Sequence, residues 1–211
     1  LAEEQPGNRR PGGRTERNRL AVLRATLDEL GAHGYPALTV EAVAERSGVH
    51  KTTIYRRWGS AEGLVAEALA LAVEDDWAAP DTGSLEGDLR ALNHLIVRSF
   101  TDPRESALPV AAISAAFQSD RAAGALREFY ADRTGRTAEI ARRAKARGEL
   151  PADTDEAEVV RTACAPLFYR LFITREPVDD TVADTAARAA ALAARAGAFV
   201  VVGRECSGRF Y

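Results

Sequence analysis

Apolar residues along this chain recur at three- and four-residue steps, and no run shows the strict apolar–polar alternation of a half-buried strand, so the pattern predicts an all-α protein. Leu20, Leu23, Leu27 and Leu30 make the first stripe, closed by Gly34 and followed by Pro36. Thr39 stands just before Val40, Val43 and Ala44, where its hydroxyl can accept a free backbone N–H at a helix start. Leu38 and Val43 fit a hydrophobic staple, whereas Ala42 leaves the capping box incomplete. A second helix of about two turns would stop at Gly48, a left-handed position, with Val49 as the apolar plug behind it. The third would start near His50 or Lys51 and run to Trp58, with Gly59 as its stop. Ile54 and Trp58 lie one turn apart and are expected inward; Lys51, Thr52, Tyr55 and Arg56 are then expected outward.

Ser60 can cap a fourth helix on which Leu64, Ala68 and Leu71 form a stripe that Val65, Leu69 and Val73 widen. So wide an apolar face must touch two bodies, which makes this helix the candidate lever between the N-terminal end and the rest. Residues 76–83, DWAAPDTG, read as a break. Beyond it, Leu85, Leu89, Leu92, Ile96 and Phe100 mark one helix, and Leu108, Ala112 and Ala116 another. Leu126, Phe129, Ile140 and Ala144 mark a long third, ending at Gly148 and Pro151. Asp155 opens a further helix through Val159, Ala163, Leu167 and Leu171, in which Pro166 should force a kink at a cost of about 3 kcal/mol. The last helix, near 180–196, carries Ala183, Ala187, Ala190 and Ala194 on one face.

Two short helices meeting at a glycine turn, the second exposing an ammonium, a hydroxyl, a phenol and a guanidinium, suit a DNA groove. Arginine can bind guanine bidentately, threonine can meet base edges or a thymine methyl, and lysine, tyrosine and backbone N–H groups can hold phosphates. The order and spacing of HGYPALTV, AVAERSGVHKTTIYRRWGS and a linking helix from Ala61 resemble the TetR family of bacterial transcriptional regulators. Two positions depart from that family's pattern: His50 stands where serine or threonine is usual, and Ala61 where lysine often follows the serine. More weakly, PLFYRLFITREPVDD resembles the C-terminal ligand-binding domain of one branch of the family.

The resemblance implies an N-terminal three-helix helix-turn-helix domain joined by a linking helix to a helical-bundle regulatory domain. The chain divides accordingly into a basic flexible tail (1–14), a DNA-binding domain with its linking helix (15–75), an effector-binding and dimerisation domain (84–198) and a tail of unknown role (199–211). That last segment is outside the family pattern and reads as a short strand, a disordered tail or a segment foreign to the natural protein. Candidate DNA-binding residues are Thr39, His50, Lys51, Thr52, Thr53, Tyr55, Arg56 and Ser60. Candidate effector-binding residues are Phe100, Phe117, Phe129, Tyr130, Phe168, Tyr169 and Phe172, although aromatic residues at helical spacing are more often ordinary core.

Charge sharpens this picture. The whole chain of 211 residues carries −3, but residues 1–60 carry a net +3 and residues 61–211 a net −6, as expected if only one end approaches phosphate. Arg9, Arg10, Arg14, Arg17 and Arg19 concentrate the positive charge. Mean hydropathy is −0.23, and the longest apolar stretches, such as 107–113, are far short of the ~18 residues of a membrane span. The first residues lack the apolar core of a secretory leader. Cys164 and Cys206 form neither a disulfide scaffold nor a zinc framework, and His33, His50 and His94 are scattered, so a cytoplasmic protein without metal or cofactor is expected.

The expected function is a ligand-responsive regulator, a repressor released from its operator by a small molecule. A palindromic double-stranded operator and a homodimer through the last two helices go with it, because a two-headed reader needs half-sites about one helical turn or a multiple apart. The alanine face then admits two readings, the subunit's own core or close approach of a partner, of which the second is preferred. The rival is an effector-independent architectural DNA-binding protein. An enzyme ranks last, since no nucleophile beside a base and no phosphate-cradling loop is evident.

Overall fold

In a computed structural model the protein is described at residues 13–73, 77–103 and 105–201, and among these the only β pairing is an isolated bridge between Thr154 and Val200. Within the described residues ten α-helices follow one another: α1 (Gly13–His33), α2 (Val40–Ser47), α3 (Lys51–Trp58), α4 (Ala61–Val73), α5 (Leu85–Thr101), α6 (Ala107–Ala116), α7 (Asp120–Thr137), α8 (Glu139–Ala146), α9 (Glu156–Phe168) and α10 (Asp180–Arg195). Tyr35–Ala37 forms a short 3-10 turn, and a π-helix at Tyr169–Thr174 continues α9. No helix among the described residues is long and apolar enough to cross a membrane. The candidate tail contacts at Arg9 and Arg10, and Cys206, lie outside the described residues.

The chain forms two compact units, one of residues 1–72 with 107–126 and the other of residues 73–106 with 127–211. Compactness therefore does not follow a single cut near residue 80. α6 packs on α1 and on the 3-10 turn because Ala111, Ala112 and Ala115 present a smooth, fully buried face to them.

In the first unit the buried face of α1 is Val22, Leu23, Ala25, Thr26, Glu29 and Leu30. The expected leucine stripe is thus corrected at Leu27, which is 38% exposed. Two polar residues can take the inside because both are satisfied: Thr26 Oγ1 donates to Val22 O (2.9 Å), and Arg46 on α2 donates its Nε–H to Glu29 (2.5 Å).

In the second unit α5, α8, α9 and α10 enclose a core that includes Leu85, Leu89, Leu92, Ile140, Val159, Ala163 and the alanines of α10. Ala183, Ala187, Ala190 and Ala194 are all fully buried here, so the alanine face is the subunit's own core and not a surface left for a partner. Small side chains let α10 lie close against α5 and α9, its two main neighbours. At their centre Asn93 Nδ2 donates to Ala163 O (3.0 Å) and Ala183 O (3.1 Å), pinning three helices with one buried amide.

One further expectation needs correction. The long third helix after the break is interrupted at Ala138, just after Thr137, whose Oγ1 donates to Arg133 O (2.7 Å), a back-bond that competes with the helical ladder. Gly148, at φ 76°, then ends α8 in the left-handed region. Pro166 does sit inside α9, and three residues later the helix widens into the π form, closed by Arg175 at φ 59°. At the end of the described chain, Asp155 N donates to Phe199 O (2.8 Å) and Val201 N to Asp153 O (3.0 Å), so residues 199–201 are tied to the start of α9.

Candidate nucleic-acid interface

The turn between α2 and α3 is specified locally on both sides. Thr39 Oγ1 accepts from Ala42 N (3.1 Å), a cap worth about 1 kcal/mol, and Leu38 and Val43 are both buried at the helix entry. Gly48, at φ 68° and ψ 9°, takes the left-handed conformation that a Cβ would strain, and donates to Ala44 O (3.0 Å). Val49 behind it is buried.

α3 then presents two faces. Ile54 is 0% exposed and Trp58 2%, whereas Lys51, Thr52, Tyr55 and Arg56 are exposed. Thr53 and Ser60 are half-buried, which sets them back from this surface. His50 caps α3 in place of the usual hydroxyl: its Nδ1 accepts from Thr52 N (3.4 Å) and lies 2.9 Å from Thr52 Oγ1. The Ser60 hydroxyl accepts from Gly63 N (3.4 Å) at the start of α4, and its hydrogen bond to Glu62 holds that carboxyl below its ordinary value. Thr39, His50 and Ser60 therefore all serve as helix-start groups.

Residues distant in sequence brace this arrangement. Arg19 of α1 donates to Glu67 of α4 (2.8 Å), and Arg57 of α3 approaches the same carboxylate (3.7 Å). Arg121, at the start of α7, donates to Trp58 O (2.7 Å) at the end of α3, and a Cβ on Gly63 would fall 1.9 Å from that carbonyl. Close approach of the α3 terminus to α4 is thus open only to glycine at position 63. Glu41 on α2 accepts from the Tyr55 hydroxyl (3.1 Å), a bond that raises the phenol above its ordinary value. Sequence reasoning missed Arg121 and Glu41, since the first is 63 residues from its partner and the second is an acid on a surface expected to be basic.

Among the aromatic candidates, five of seven come together in the second unit. Phe100 meets Phe168 (5.4 Å between ring centroids) and Phe172 (5.3 Å) edge-on, Tyr130 meets Phe129 (5.4 Å) and Phe168 (5.9 Å), and Phe168 stacks on Phe172. Each of the five remains half-buried, unlike Leu85 or Leu89 in the core nearby. Burial pushes the Tyr130 phenol up to about 12, and likewise the Cys164 thiol. Phe117 and Tyr169 do not join the cluster. Phe117, just past the end of α6 and in the first unit, is 87% exposed, and Tyr169, on the π-helix, is 57% exposed. Among the described residues no group of three or more His, Cys, Asp or Glu could hold a metal ion.

Comparison with known proteins agrees with this geometry over both units. Residues 22–68 match the family profile described as bacterial regulatory proteins, tetR family, and residues 79–190 match the tetracyclin repressor-like C-terminal domain. YdeS of Bacillus subtilis (strain 168), described as an uncharacterized HTH-type transcriptional regulator, is 30% identical over 169 residues, covering 80% of this chain and 85% of that protein. The DNA-binding transcriptional repressor TetR of Mycobacteroides abscessus (strain ATCC 19977) is 32% identical over 174 residues, covering 79% of this chain and 88% of its own. The crystal structure of the TetR family transcription regulator SCO0332 superposes with a TM-score of 0.67 at 33% identity, over 83% of this chain and 97% of that one. With a capped helix pair that turns at Gly48, a basic face on α3 and matches spanning both units, the chain belongs to the TetR family of bacterial transcriptional regulators.

Proposed function

We propose that this regulator is a repressor that binds a palindromic duplex operator as a homodimer and leaves it when a small molecule binds the second unit. The observation that carries the DNA part is the two-faced α3, with Lys51, Thr52, Tyr55 and Arg56 exposed over buried Ile54 and Trp58. In this reading Arg56 and Lys51 supply the charged contacts, Thr52 and Tyr55 the neutral ones, and the N-termini capped by Thr39 and His50 offer backbone N–H groups to phosphate. Thr53 and Ser60 contribute at the margin.

For the dimer, the last two helices use the faces their own core leaves free. Tyr169, Ile173 and Leu192 are large apolar side chains exposed there, and Ala165 and Ala189 are exposed beside them. For the effector, the half-buried cluster of Phe100, Phe129, Tyr130, Phe168 and Phe172 suits a largely apolar ligand with one hydrogen-bonding group for the Tyr130 hydroxyl.

Gel retardation and footprinting of the gene's own promoter region at low salt test the first part. A protected, two-fold symmetric site supports it, and no retardation refutes it. A thermal-shift screen followed by operator release tests the second. A compound that raises the melting temperature and weakens operator binding supports sensing; stabilising compounds that all leave operator affinity unchanged refute it.

A further inference from the structure

Glu41 stands among the groups of the reading surface with a charge opposite to theirs. It lies in the first turn of α2, is exposed, and lines one concavity of about 400 Å³ with Ala44, Gly48, Val49, His50 and Lys51. Its carboxylate accepts from the Tyr55 hydroxyl through both oxygens (3.1 and 3.4 Å), which brings it beside the face of α3 that carries Lys51 and Tyr55 one turn apart. Among the described residues no lysine or arginine pairs with it. A carboxylate held there is acceptor-only and negatively charged, so phosphate oxygens repel it.

Resting on the operator-binding reading above, we propose that Glu41 is a specificity-determining residue that selects a cytosine in each operator half-site. In the major groove guanine shows the acceptors N7 and O6, and thymine shows O4 and a methyl group; neither base can donate to a carboxylate. Adenine has a donor at N6, but its N7 acceptor lies alongside and opposes the second carboxylate oxygen. Cytosine shows the N4 amino group with no acceptor beside it, and is the base edge that a carboxylate matches. The Tyr55 phenol positions the carboxylate: while it donates its proton to Glu41, it keeps a lone pair for the base and has no proton for a phosphate. Glu41 thus lowers affinity for unselected DNA and concentrates binding on sites with cytosine at one position.

The test is selection from a random duplex library with the wild-type protein and with Glu41→Gln, Glu41→Ala and Tyr55→Phe, followed by titration of single-base operator variants at one salt concentration. The wild type is expected to require cytosine at one position per half-site, with a loss of about tenfold to a hundredfold for the other three bases. Glu41→Ala loses that preference while keeping the others, Glu41→Gln shifts it toward adenine, whose N6 and N7 a carboxamide matches, and both variants bind random DNA more tightly. Tyr55→Phe weakens the same preference. An unchanged preference in Glu41→Ala overturns the proposal while leaving the operator reading intact, as does a wild-type preference for an A·T or T·A pair at every position that Glu41→Ala alters. A wild-type protein that enriches no sequence overturns the operator reading and this proposal together.

Discussion

Asn93→Asp is the most informative single change to the second unit, because it keeps the shape of the side chain and reverses the chemistry of one atom. Asn93 is fully buried, and its Nδ2 donates to the carbonyls of Ala163 on α9 and Ala183 on α10 at 3.0 and 3.1 Å. An aspartate oxygen in that place faces two acceptors. Loss of the two hydrogen bonds costs about 0.5–1.5 kcal/mol each, and an uncompensated buried carboxylate raises the total at neutral pH to about 3–5 kcal/mol. Protonation restores one donor, so the folded variant holds the proton of the introduced carboxyl above the unfolded value of about 3.9. With the folded pKa raised, the stability due to the neutral form is fully present below about pH 3.9 and is lost as pH rises through the folded value. At about 2–4 °C per kcal/mol for a chain of this size, the melting temperature should fall by roughly 6–20 °C near pH 7.5. Near pH 4 the variant should lie much closer to the wild type. Circular dichroism melts of wild type, Asn93→Asp and Asn93→Ala at both pH values make the comparison, the alanine variant being the control that loses the bonds but gains no titrating group. A deficit for Asn93→Asp of the same size at both pH values, or one no larger than that of Asn93→Ala near pH 7.5, would refute the reasoning.

Other expectations are independent of this one. If Lys51 neutralises one phosphate as proposed, Lys51→Ala should weaken operator binding and reduce the slope of log affinity against log salt by about 0.9, as measured by fluorescence anisotropy at several salt concentrations. Leu192→Glu or Ile173→Glu should shift sedimentation from dimer to monomer without unfolding the protein, because both side chains are exposed in the single subunit. In a Cys206→Ser background, Cys164 should react with a thiol reagent near pH 8 only when the protein is unfolded, since burial pushes the thiol from its ordinary value of 9.0 up to about 12. The same raised value means that stability contributed by the neutral thiol is present below about pH 9 and declines as pH rises toward 12, an effect that Cys164→Ala should remove from the alkaline limb of the stability profile.

Much of the helix pair around Gly48 is legible in the sequence. Thr39, Gly48 and Gly59 punctuate α2 and α3 through interactions within a few residues, and the spacing of Ile54 and Trp58 decides which side of α3 turns outward. Helix starts, stops and faces of this kind are set by bonds between near neighbours, so a linear text carries them. What the fold alone decided lies farther apart in the chain. Thr26 and Glu29 displaced Leu27 from the inside of α1 because Val22 O and Arg46 satisfy them. The segment 107–126 joined the N-terminal unit and placed Arg121 on a carbonyl 63 residues away.

Local sequence is enough for the all-α class, the helix boundaries near the turn and the outward face of α3, because capping, left-handed glycines and helical periodicity act over one or two turns. Packing between helices sets the rest: the alanines of α10 are interior, Phe117 and Tyr169 stand apart from the other five aromatic candidates, and Glu41 and Tyr55 meet. Those outcomes depend on which helices pack together, and a side chain's neighbours across a packed interface can be 90 residues distant, as Asn93 and Ala183 are.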